Sequence, residues 1–239
     1  MRTVICSGDQ NAGMRPGQAD LVDEIVKSGI TDALLIEAFR TVPRAEFVPP
    51  QLVRLAYEDR PLPIPHDQVT TQPSLSAKMI EALDLTPASR VLEIGTGYGF
   101  QTALLARLSE RVLSIERWPD LAAQARDHLA RQGITNVIVR TGDGSVGFSE
   151  AAPFDAILVS AAFSEVPRPL VEQLAPEGRL VQPIGPGGRE VVTLFRMSAG
   201  RLRRVREVTP AYFVRLIGRE AFPEDDGEHA RDGIATRPP

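Results

Sequence analysis

The stretch VLEIGTGYGF, Val91–Phe100, sets three glycines behind a short apolar run and leads into the helix-forming segment FQTALLARLS. A buried strand that ends in a glycine-rich turn and opens a helix brings backbone N–H groups close to a nucleotide-like ligand. The glycines stand at 95, 97 and 99, and Phe100 occupies the third glycine position of the dinucleotide fingerprint G-x-G-x-x-G. The turn indicates an α/β fold, but by itself it is weak evidence for any one ligand.

The segments that follow repeat this strand-and-helix pattern. Short apolar strands are predicted at 90–95, 111–116, 137–142 and 155–161, and helices at 74–85, 100–109, 119–133 and 168–175. Such alternation predicts a Rossmann-like α/β fold, a mostly parallel twisted sheet with helices on both faces. A strand at 178–184, the turn GPGGR and two further strands at 190–197 and 209–217 predict an antiparallel C-terminal edge.

The N-terminal part is organised differently. Helical periodicity runs from Asp20 to Gly29, and Thr31 or Asp32 caps a second helix. Residues 43–73 are rich in proline and have no sustained period, yet their apolar content indicates that they pack against the domain. We therefore expect one domain over 20–218, with a substrate-side segment (20–73) and a ligand-binding α/β core (74–218). Residues 1–19 and the acidic tail 219–239 are predicted to be loosely ordered.

Composition excludes several classes of function. With 239 residues and 43% hydrophobic content, the chain can bury one core. A net charge of -4 does not provide the positive surface that nucleic-acid binding requires. The one basic cluster, RLRRVRE at 201–207, is expected to be an exposed strand. Cys6 is the single cysteine, no apolar run approaches the ~18 residues of a membrane span, and no His/Cys/carboxylate set has metal-ligand spacing. A cytoplasmic monomer without a metal or a membrane partner is expected.

Three acids lie at the ends of three successive predicted strands. Glu93 would repel a pyrophosphate but attract the ammonium and sulfonium of S-adenosylmethionine, by ~4 kcal/mol at ~4 Å and an effective dielectric of about 20. Glu116, about twenty residues after the glycines, suits the ribose hydroxyls of that cofactor or of NAD equally. Asp143, between Gly142 and Gly144, could accept from an adenine amino group or form only an Asx turn. Their convergence favours S-adenosylmethionine.

The motifs VPRAEFVPP, AYEDRPLPI, QVTTQP, VLEIGTGYGFQTALLA, SIER, GDGS, PFDAILVSAA and GRLVQPIGPGG occur in this order. From about Asp20 to Gly218 the sequence therefore resembles the protein-L-isoaspartate O-methyltransferases, a class I methyltransferase family. The resemblance implies that the HDQVTTQP segment approaches both the methyl group and the substrate. It also implies that Glu93, Gly95, Gly97, Glu116 and Asp143 line the cofactor. We predict the same position for Gln72, Thr96, Gly142 and Gly144.

This sequence departs from the family pattern at three positions. Where the family usually has G-Q-T-I-S-Q-P, Thr71 replaces the active-site serine and Asp67 replaces the glycine. We predict that Thr71 donates its hydroxyl to the substrate carboxyl, although a helix cap near Ser74 is an alternative role. Arg215 replaces a proline of F-V-P-L and is either a cation near the substrate carboxylate or a solvated residue.

The remaining substrate-side candidates are His66, Asp67, Gln68, Val69 and Thr70. His66 could be a general base oriented by Asp67, but a loop histidine is the simpler interpretation. A carboxylate nucleophile is already ionised at neutral pH, because its pKa is near 4, so the chemistry needs no base.

The predicted activity is S-adenosylmethionine-dependent methylation of L-isoaspartyl carboxyls, which initiates repair through a methyl ester and a succinimide. Three alternatives stay open: a carboxyl methyltransferase of one dedicated peptide, a catalytically silent cofactor-binding protein, and an NAD-dependent dehydrogenase.

Overall fold

The computed structural model describes residues 16–224 and contains one seven-stranded sheet with helices on both faces. The helices are α1 (Gln18–Lys27), α2 (Ala33–Thr41), α3 (Pro73–Leu83), α4 (Phe100–Leu108), α5 (Pro119–Arg131) and α6 (Arg168–Glu172). The strands are β1 (Pro63–Ile64), β2 (Gln68–Val69), β3 (Arg90–Ile94), β4 (Arg111–Glu116), β5 (Val137–Thr141), β6 (Phe154–Val159), β7 (Leu174–Ile184), β8 (Glu190–Ser198) and β9 (Arg201–Ala211).

The order of strands in the large sheet is β5-β4-β3-β6-β7-β8-β9. The first five strands are parallel, and β8 and β9 continue the sheet as an antiparallel edge. This arrangement confirms the predicted fold class. The chain moves outward from β3 to β5 and then returns to place β6 on the other side of β3. Ligands bind at such a switch point, outside the carboxyl ends of the strands, which here are Ile94 and Val159.

The central strands are apolar throughout because both faces of the sheet are covered. Alternate residues of β3 belong to different cores: Val91 packs with α2, α3 and α4, whereas Leu92 and Ile94 pack with α6 and the chain after β9. The antiparallel edge strand β9 has water on much of its surface, which explains its run of arginines. The basic cluster at 201–207 is thus an exposed strand, as expected.

Three predicted elements differ in their bounds from the structure. The last strand is Arg201–Ala211, not 209–217, and residues 212–222 leave the sheet to cross the carboxyl edge. This crossing segment is held by backbone bonds between Ala162 and both Val214 (2.8 Å) and Leu216 (2.7 Å), and Leu216 is buried. Helix α6 ends at Glu172 rather than 175, and strand β7 begins at Leu174 rather than 178, because Leu174 already pairs with Phe154 of β6 in the sheet. The Gln173 side chain between them bonds the backbone of residues 146 and 148.

The proline-rich segment packs on the domain around one buried arginine. Arg44 donates to the carbonyls of Ala56 (2.9 Å), Glu58 (2.8 Å) and Arg60 (2.9 Å), and to the Thr70 hydroxyl (3.3 Å). Burial lowers the pKa of Arg44 to about 10, so the side chain stays charged at neutral pH. Carbonyl groups that no helix or sheet satisfies are therefore bonded by a side chain, as buried backbone requires.

The ends of the described chain extend beyond the predicted domain limits. Helix α1 begins at Gln18, and the Arg219 N–H donates to Asp143 (2.8 Å), so the chain remains attached past Gly218. Our expectations for residues 1–15, including Cys6, and for 225–239 fall outside the described residues. In the part of the chain that the structure describes, no helix is long and apolar enough to cross a bilayer.

Candidate active site

A cleft opens at the carboxyl edge of the sheet, at the switch point between β3 and β6. It lies between the glycine turn, the chain after β4, the β1–β2 hairpin and the crossing segment; we call it the cofactor cleft. Gly95 has φ 95°, and a Cβ there would stand 3.3 Å from the Ser160 Cβ, so close packing and backbone conformation both require glycine. Gly95, Thr96 and Gly97 all line this cleft, as predicted from the sequence.

Glu116 fixes the glycine turn at the floor of the cofactor cleft. Its Oε2 accepts from the Gly97 N–H (2.8 Å) and its Oε1 from the Trp118 N–H (3.0 Å). Each carboxylate oxygen can accept more than one hydrogen bond, so both remain able to accept from ribose hydroxyls. Glu116 therefore stands where the sequence predicted a ribose partner.

Glu93 does not line the cofactor cleft, contrary to our prediction. It is completely buried under the glycine turn, where its Oε2 accepts from the hydroxyls of Thr102 (2.5 Å) and Ser114 (2.6 Å). Its Oε1 accepts from Gln101 Nε2 (3.1 Å), which also donates to Ser160 Oγ (2.8 Å). Glu93 reaches the cleft only through Gln101 and Ser160, which line it.

The surroundings of Glu93 make it an unusual acid. Burial raises its pKa to about 7, against the opposing effect of the hydrogen bonds from Ser114, Thr102 and Gln101. The negative charge of Glu116 acts in the same direction as burial and contributes to this raised pKa. A signal for this arrangement was present in the sequence: Gln101, Thr102 and Ser114 are polar residues inside apolar elements. The Ser114 hydroxyl also lies 2.5 Å from that of Thr96, whose side chain points inward.

Asp143 is engaged by its own turn and by the crossing segment. Its Oδ1 accepts from the N–H (2.9 Å) and hydroxyl (2.6 Å) of Ser145, and its Oδ2 from the Arg219 N–H. Burial opposes ionisation, but the bonds from Arg219 and Ser145 outweigh it and lower the pKa of Asp143. The Asx-type turn that the sequence left open is therefore present. Of this motif only Gly144 lines the cofactor cleft; Gly142 and Asp143 do not.

Thr71 lies where the cofactor cleft meets a second cleft, which we call the peptide-side cleft. No hydrogen-bond partner for its hydroxyl is found among residues 16–224. The alternative role as a helix cap is not seen, because α3 begins at Pro73 and Asp59 Oδ1 accepts from the Ser74 N–H (2.8 Å). Gln72 donates to Asp59 Oδ2 (2.8 Å) and lines the peptide-side cleft, not the cofactor cleft where we expected it.

His66 and Asp67 form the exposed tip of the β1–β2 hairpin and line neither cleft. The His66 ring stacks on Trp118, with centroids 4.0 Å apart, and its Nε2 lies 2.9 Å from each oxygen of Asp120. The alternative in which Asp67 orients His66 as a base is therefore not seen, and His66 is the hydrogen-bonding loop histidine that was the simpler interpretation. Stacking and the Asp120 contact instead anchor the hairpin over the chain after β4.

The other substrate-side candidates lie at the clefts. Gln68 and Val69 line the cofactor cleft, and the Thr70 hydroxyl accepts from the Leu62 N–H (3.0 Å), which gives Thr70 a structural role. Arg215 also lines the cofactor cleft, but its Nε donates to the Pro186 carbonyl (3.2 Å). Its guanidinium stacks over Phe222, 4.7 Å from the ring centroid.

Sequence reasoning missed three residues that shape the cofactor cleft: Tyr98, Trp118 and Ser160. Tyr98 and Trp118 pack with Ile64 and Leu121, so the hairpin and α5 share a small apolar cluster beside the glycine turn. Ser160 follows β6 directly, and a hydroxyl at that strand end was its only signal. Across the described range 16–224, no group of His, Cys, Asp or Glu is arranged to hold a metal ion.

Comparison with known proteins gives consistent matches. The family model described as Protein-L-isoaspartate(D-aspartate) O-methyltransferase (PCMT) matches residues 16–221. The Protein-L-isoaspartate O-methyltransferase of Methanoculleus marisnigri is 48% identical over 197 residues, which are 82% of this chain and 88% of that protein. The protein of the same name from Aeropyrum pernix is 42% identical over 217 residues, 88% and 83% of the two chains.

Two solved structures extend these matches to the fold. One, named protein-L-isoaspartate O-methyltransferase, has a TM-score of 0.75 and 30% identity, and the match covers 85% of this chain and 67% of that one. The other is a putative protein-L-isoaspartate O-methyltransferase from Plasmodium falciparum in complex with S-adenosyl-L-homocysteine. Its TM-score is 0.73 at 25% identity, with coverage of 85% and 99%.

Proposed function

The chain belongs to the protein-L-isoaspartate O-methyltransferase family, and from this premise we propose how its residues act. The activity is methylation of the carboxyl group of L-isoaspartyl residues in damaged peptides and proteins, with S-adenosylmethionine as the methyl donor. One observation supports the assignment of roles most strongly. Thr71 stands at the junction of the two clefts with a hydroxyl that no described residue engages.

The residues of the cofactor cleft fit S-adenosylmethionine. The turn at Gly95 and Gly97 leaves room for close approach, and Glu116 presents acceptors for two hydroxyls. Gly144 lines the cleft as well, and a Cβ there would collide with Ile94, so only glycine lets this backbone pack against Ile94 at the wall of the cleft. When bound, S-adenosylmethionine supplies a methyl group made electrophilic by the attached sulfonium.

Thr71 orients the substrate in this proposal. Its hydroxyl donates a hydrogen bond to one oxygen of the substrate carboxylate, so the other oxygen is directed at the cofactor cleft. The carboxylate is ionised at neutral pH without a base, since its pKa is near 4. The chain therefore contributes position and exclusion of water rather than proton transfer. His66 has no part in this step, because it lies outside both clefts.

The later steps of repair need no residue of this chain. The backbone nitrogen that follows the methyl ester attacks the ester carbonyl and forms a succinimide, and methanol leaves. Hydrolysis of the succinimide then gives partly normal aspartate. The chain need only release the ester.

Asp143 and Glu93 take supporting roles. Asp143 lies beside Gly144 but does not itself line the cofactor cleft. Its carboxylate, held by Ser145 and the Arg219 N–H, keeps unused acceptor capacity, so in this proposal it accepts from an adenine amino group that extends past Gly144. Glu93 holds Gln101 and, through it, Ser160 at the junction of the clefts.

We further propose a cytoplasmic monomer without a nucleic-acid partner. The single cysteine suits a reducing compartment, and a net charge of -4 disfavours nucleic acid. One chain supplies both clefts, so a second copy is not needed to complete the site.

The test is transfer of a radiolabelled methyl group to an isoaspartyl peptide and to its aspartyl twin. We expect base-labile label, released as methanol, on the isoaspartyl peptide only. Equal labelling of both peptides, or label on neither, would overturn the assignment. An unrelated peptide as the sole acceptor would instead identify a dedicated biosynthetic enzyme. Calorimetry measures the binding of S-adenosylhomocysteine and of NAD, and it therefore tests cofactor recognition independently of turnover.

A further inference from the structure

The peptide-side cleft adjoins the proposed reaction site and is the larger of the two, about 560 Å³ against 160 Å³. The two clefts share five lining residues, which form their common border: Val69, Thr70, Thr71, Ser160 and Val214. A carboxylate that reacts with a group in the cofactor cleft must lie at this border. The rest of the peptide-side cleft is therefore left for residues that flank the reacting one.

Two cations line the peptide-side cleft and do not line the cofactor cleft. Lys78 projects from α3, and the exposed Arg189 precedes β8. Within residues 16–224, no carboxylate lies within ion-pair distance of either side chain. Both cations are thus placed beside the flanking residues of a bound peptide rather than at the reacting carboxylate.

The acid that lines the same cleft is already engaged. Glu190 is buried, and its Oε1 accepts from the Arg189 N–H (2.6 Å) while its Oε2 accepts from the Phe213 N–H (2.8 Å). The rest of the wall is largely apolar and includes Leu75, Val191 and the strongly exposed ring of Tyr212. A peptide would therefore meet an apolar surface with positive charge on it.

We propose that Lys78 and Arg189 form a subsite for an acidic side chain next to the isoaspartyl residue. The inference rests on the proposed function, whose peptide substrate it describes further. The net charge of the chain is -4, so the long-range electrostatic field of the whole protein does not attract acidic peptides. Any preference for an acidic flank must then come from local cations, and it acts on substrate binding rather than on the reacting atoms.

The kinetic test uses isoaspartyl peptides that differ only at one neighbouring residue, Glu, Gln or Lys, on either side. For at least one side, kcat/KM should be about 3- to 10-fold higher for Glu than for Gln and lower again for Lys, mainly through KM. The ratio should shrink as salt screens the pair. In the Lys78→Met/Arg189→Met double variant the Glu-to-Gln ratio should fall to about one. Arg131→Met, on distant α5, is the matched control and should retain it.

A second measurement does not depend on turnover. The chain has only two lysines, Lys27 and Lys78, and Lys27 pairs with Glu24 on α1. Acylation of lysine amines, followed by mass spectrometry, reports the accessibility of each. With S-adenosylhomocysteine present, the Glu-flanked peptide should slow labelling of Lys78 more than the Gln-flanked peptide does, while Lys27 is unaffected.

The outcomes separate the subsite from the activity. Methylation of all peptides at equal kcat/KM, or a Glu preference that survives in the double variant, overturns the subsite and leaves the activity standing. No methylation of any isoaspartyl peptide overturns the proposed function, and the labelling experiment then still decides the subsite. Equal protection of Lys78 by the Glu and Gln peptides would reject it.

Discussion

Replacing Glu93 by Gln should change how the stability of the protein depends on pH. Glu93 has no exposed surface, and burial raises its pKa from an ordinary 4.5 to about 7. Glutamine keeps the shape and an acceptor for Gln101, and its amide can donate to the hydroxyls of Thr102 and Ser114. The substitution therefore removes the titration while leaving the packing nearly unchanged.

The size of the effect follows from the shift of the pKa. Below pH 4.5 the carboxyl is protonated in the folded and the unfolded chain, so no charge is buried. As the pH rises, the unfolded chain loses its proton first, and the folded state loses stability until the pH passes about 7. A shift of 2.5 pKa units corresponds to about 3 kcal/mol, of which about 2.5 kcal/mol falls between pH 5 and 8.

The assay is urea unfolding of the wild type and Glu93→Gln at several values between pH 5 and 8. The difference in unfolding free energy should move in favour of the variant by about 2–3 kcal/mol across this range, roughly 5–10 °C in Tm. Contributions of other groups cancel in the difference. Thr102→Val is the matched control: it removes a bond that lowers the pKa of Glu93, so the loss of stability should extend to higher pH. A difference that stays constant from pH 5 to 8 would show that Glu93 does not titrate there.

Three further substitutions test the site and its support. Thr71→Val should lower kcat by about 10- to 100-fold because it removes a hydrogen bond to a charged substrate, whereas Thr71→Ser should retain most activity; equal rates for both would exclude the hydroxyl. Arg44→Met should lower the free energy of unfolding by about 3 kcal/mol, since buried carbonyls lose their donor, and a loss under 1 kcal/mol in urea would contradict that role. Gly218→Ala places a Cβ against the Asp143 carboxylate and should weaken S-adenosylhomocysteine binding about tenfold by calorimetry; Gly200→Ala, at a distant turn, should leave affinity unchanged.

The glycine turn and the strand-end acids show how far a linear pattern can be read. Glu116 lies where its position after β4 predicted, because carboxyl ends of parallel strands meet at one edge. The backbone of Glu93 also lies near this edge of the sheet, but its side chain points into the layer between the sheet and α4. Successive side chains of a strand point to opposite faces of the sheet. Which polar groups a side chain meets on its face depends on the helices that pack there.

Long-range partners account for the other differences. His66 is next to Asp67 in sequence, yet its imidazole bonds Asp120, which lies more than fifty residues away. Gln72 and Arg215 were placed by motif alignment, and each is oriented by a contact that no local pattern contains, with Asp59 and with the Pro186 carbonyl. Part of the crossing segment was predicted to be a strand because its residues are apolar. In the structure those residues cover the edge of the sheet instead of joining it.

The sequence by itself determined the α/β class, the alternation of strands and helices along the chain, and the family. Periodicity, glycine spacing and motifs are local properties of the chain, so each can be recognised without the tertiary structure. Only the tertiary structure decided that Glu93 is a buried acid under the turn, that Thr71 stands between two clefts, and that Lys78 and Arg189 face the larger one. These facts depend on which distant side chains pack together, and the free energy of that packing is set by burial and hydrogen bonding across the whole domain.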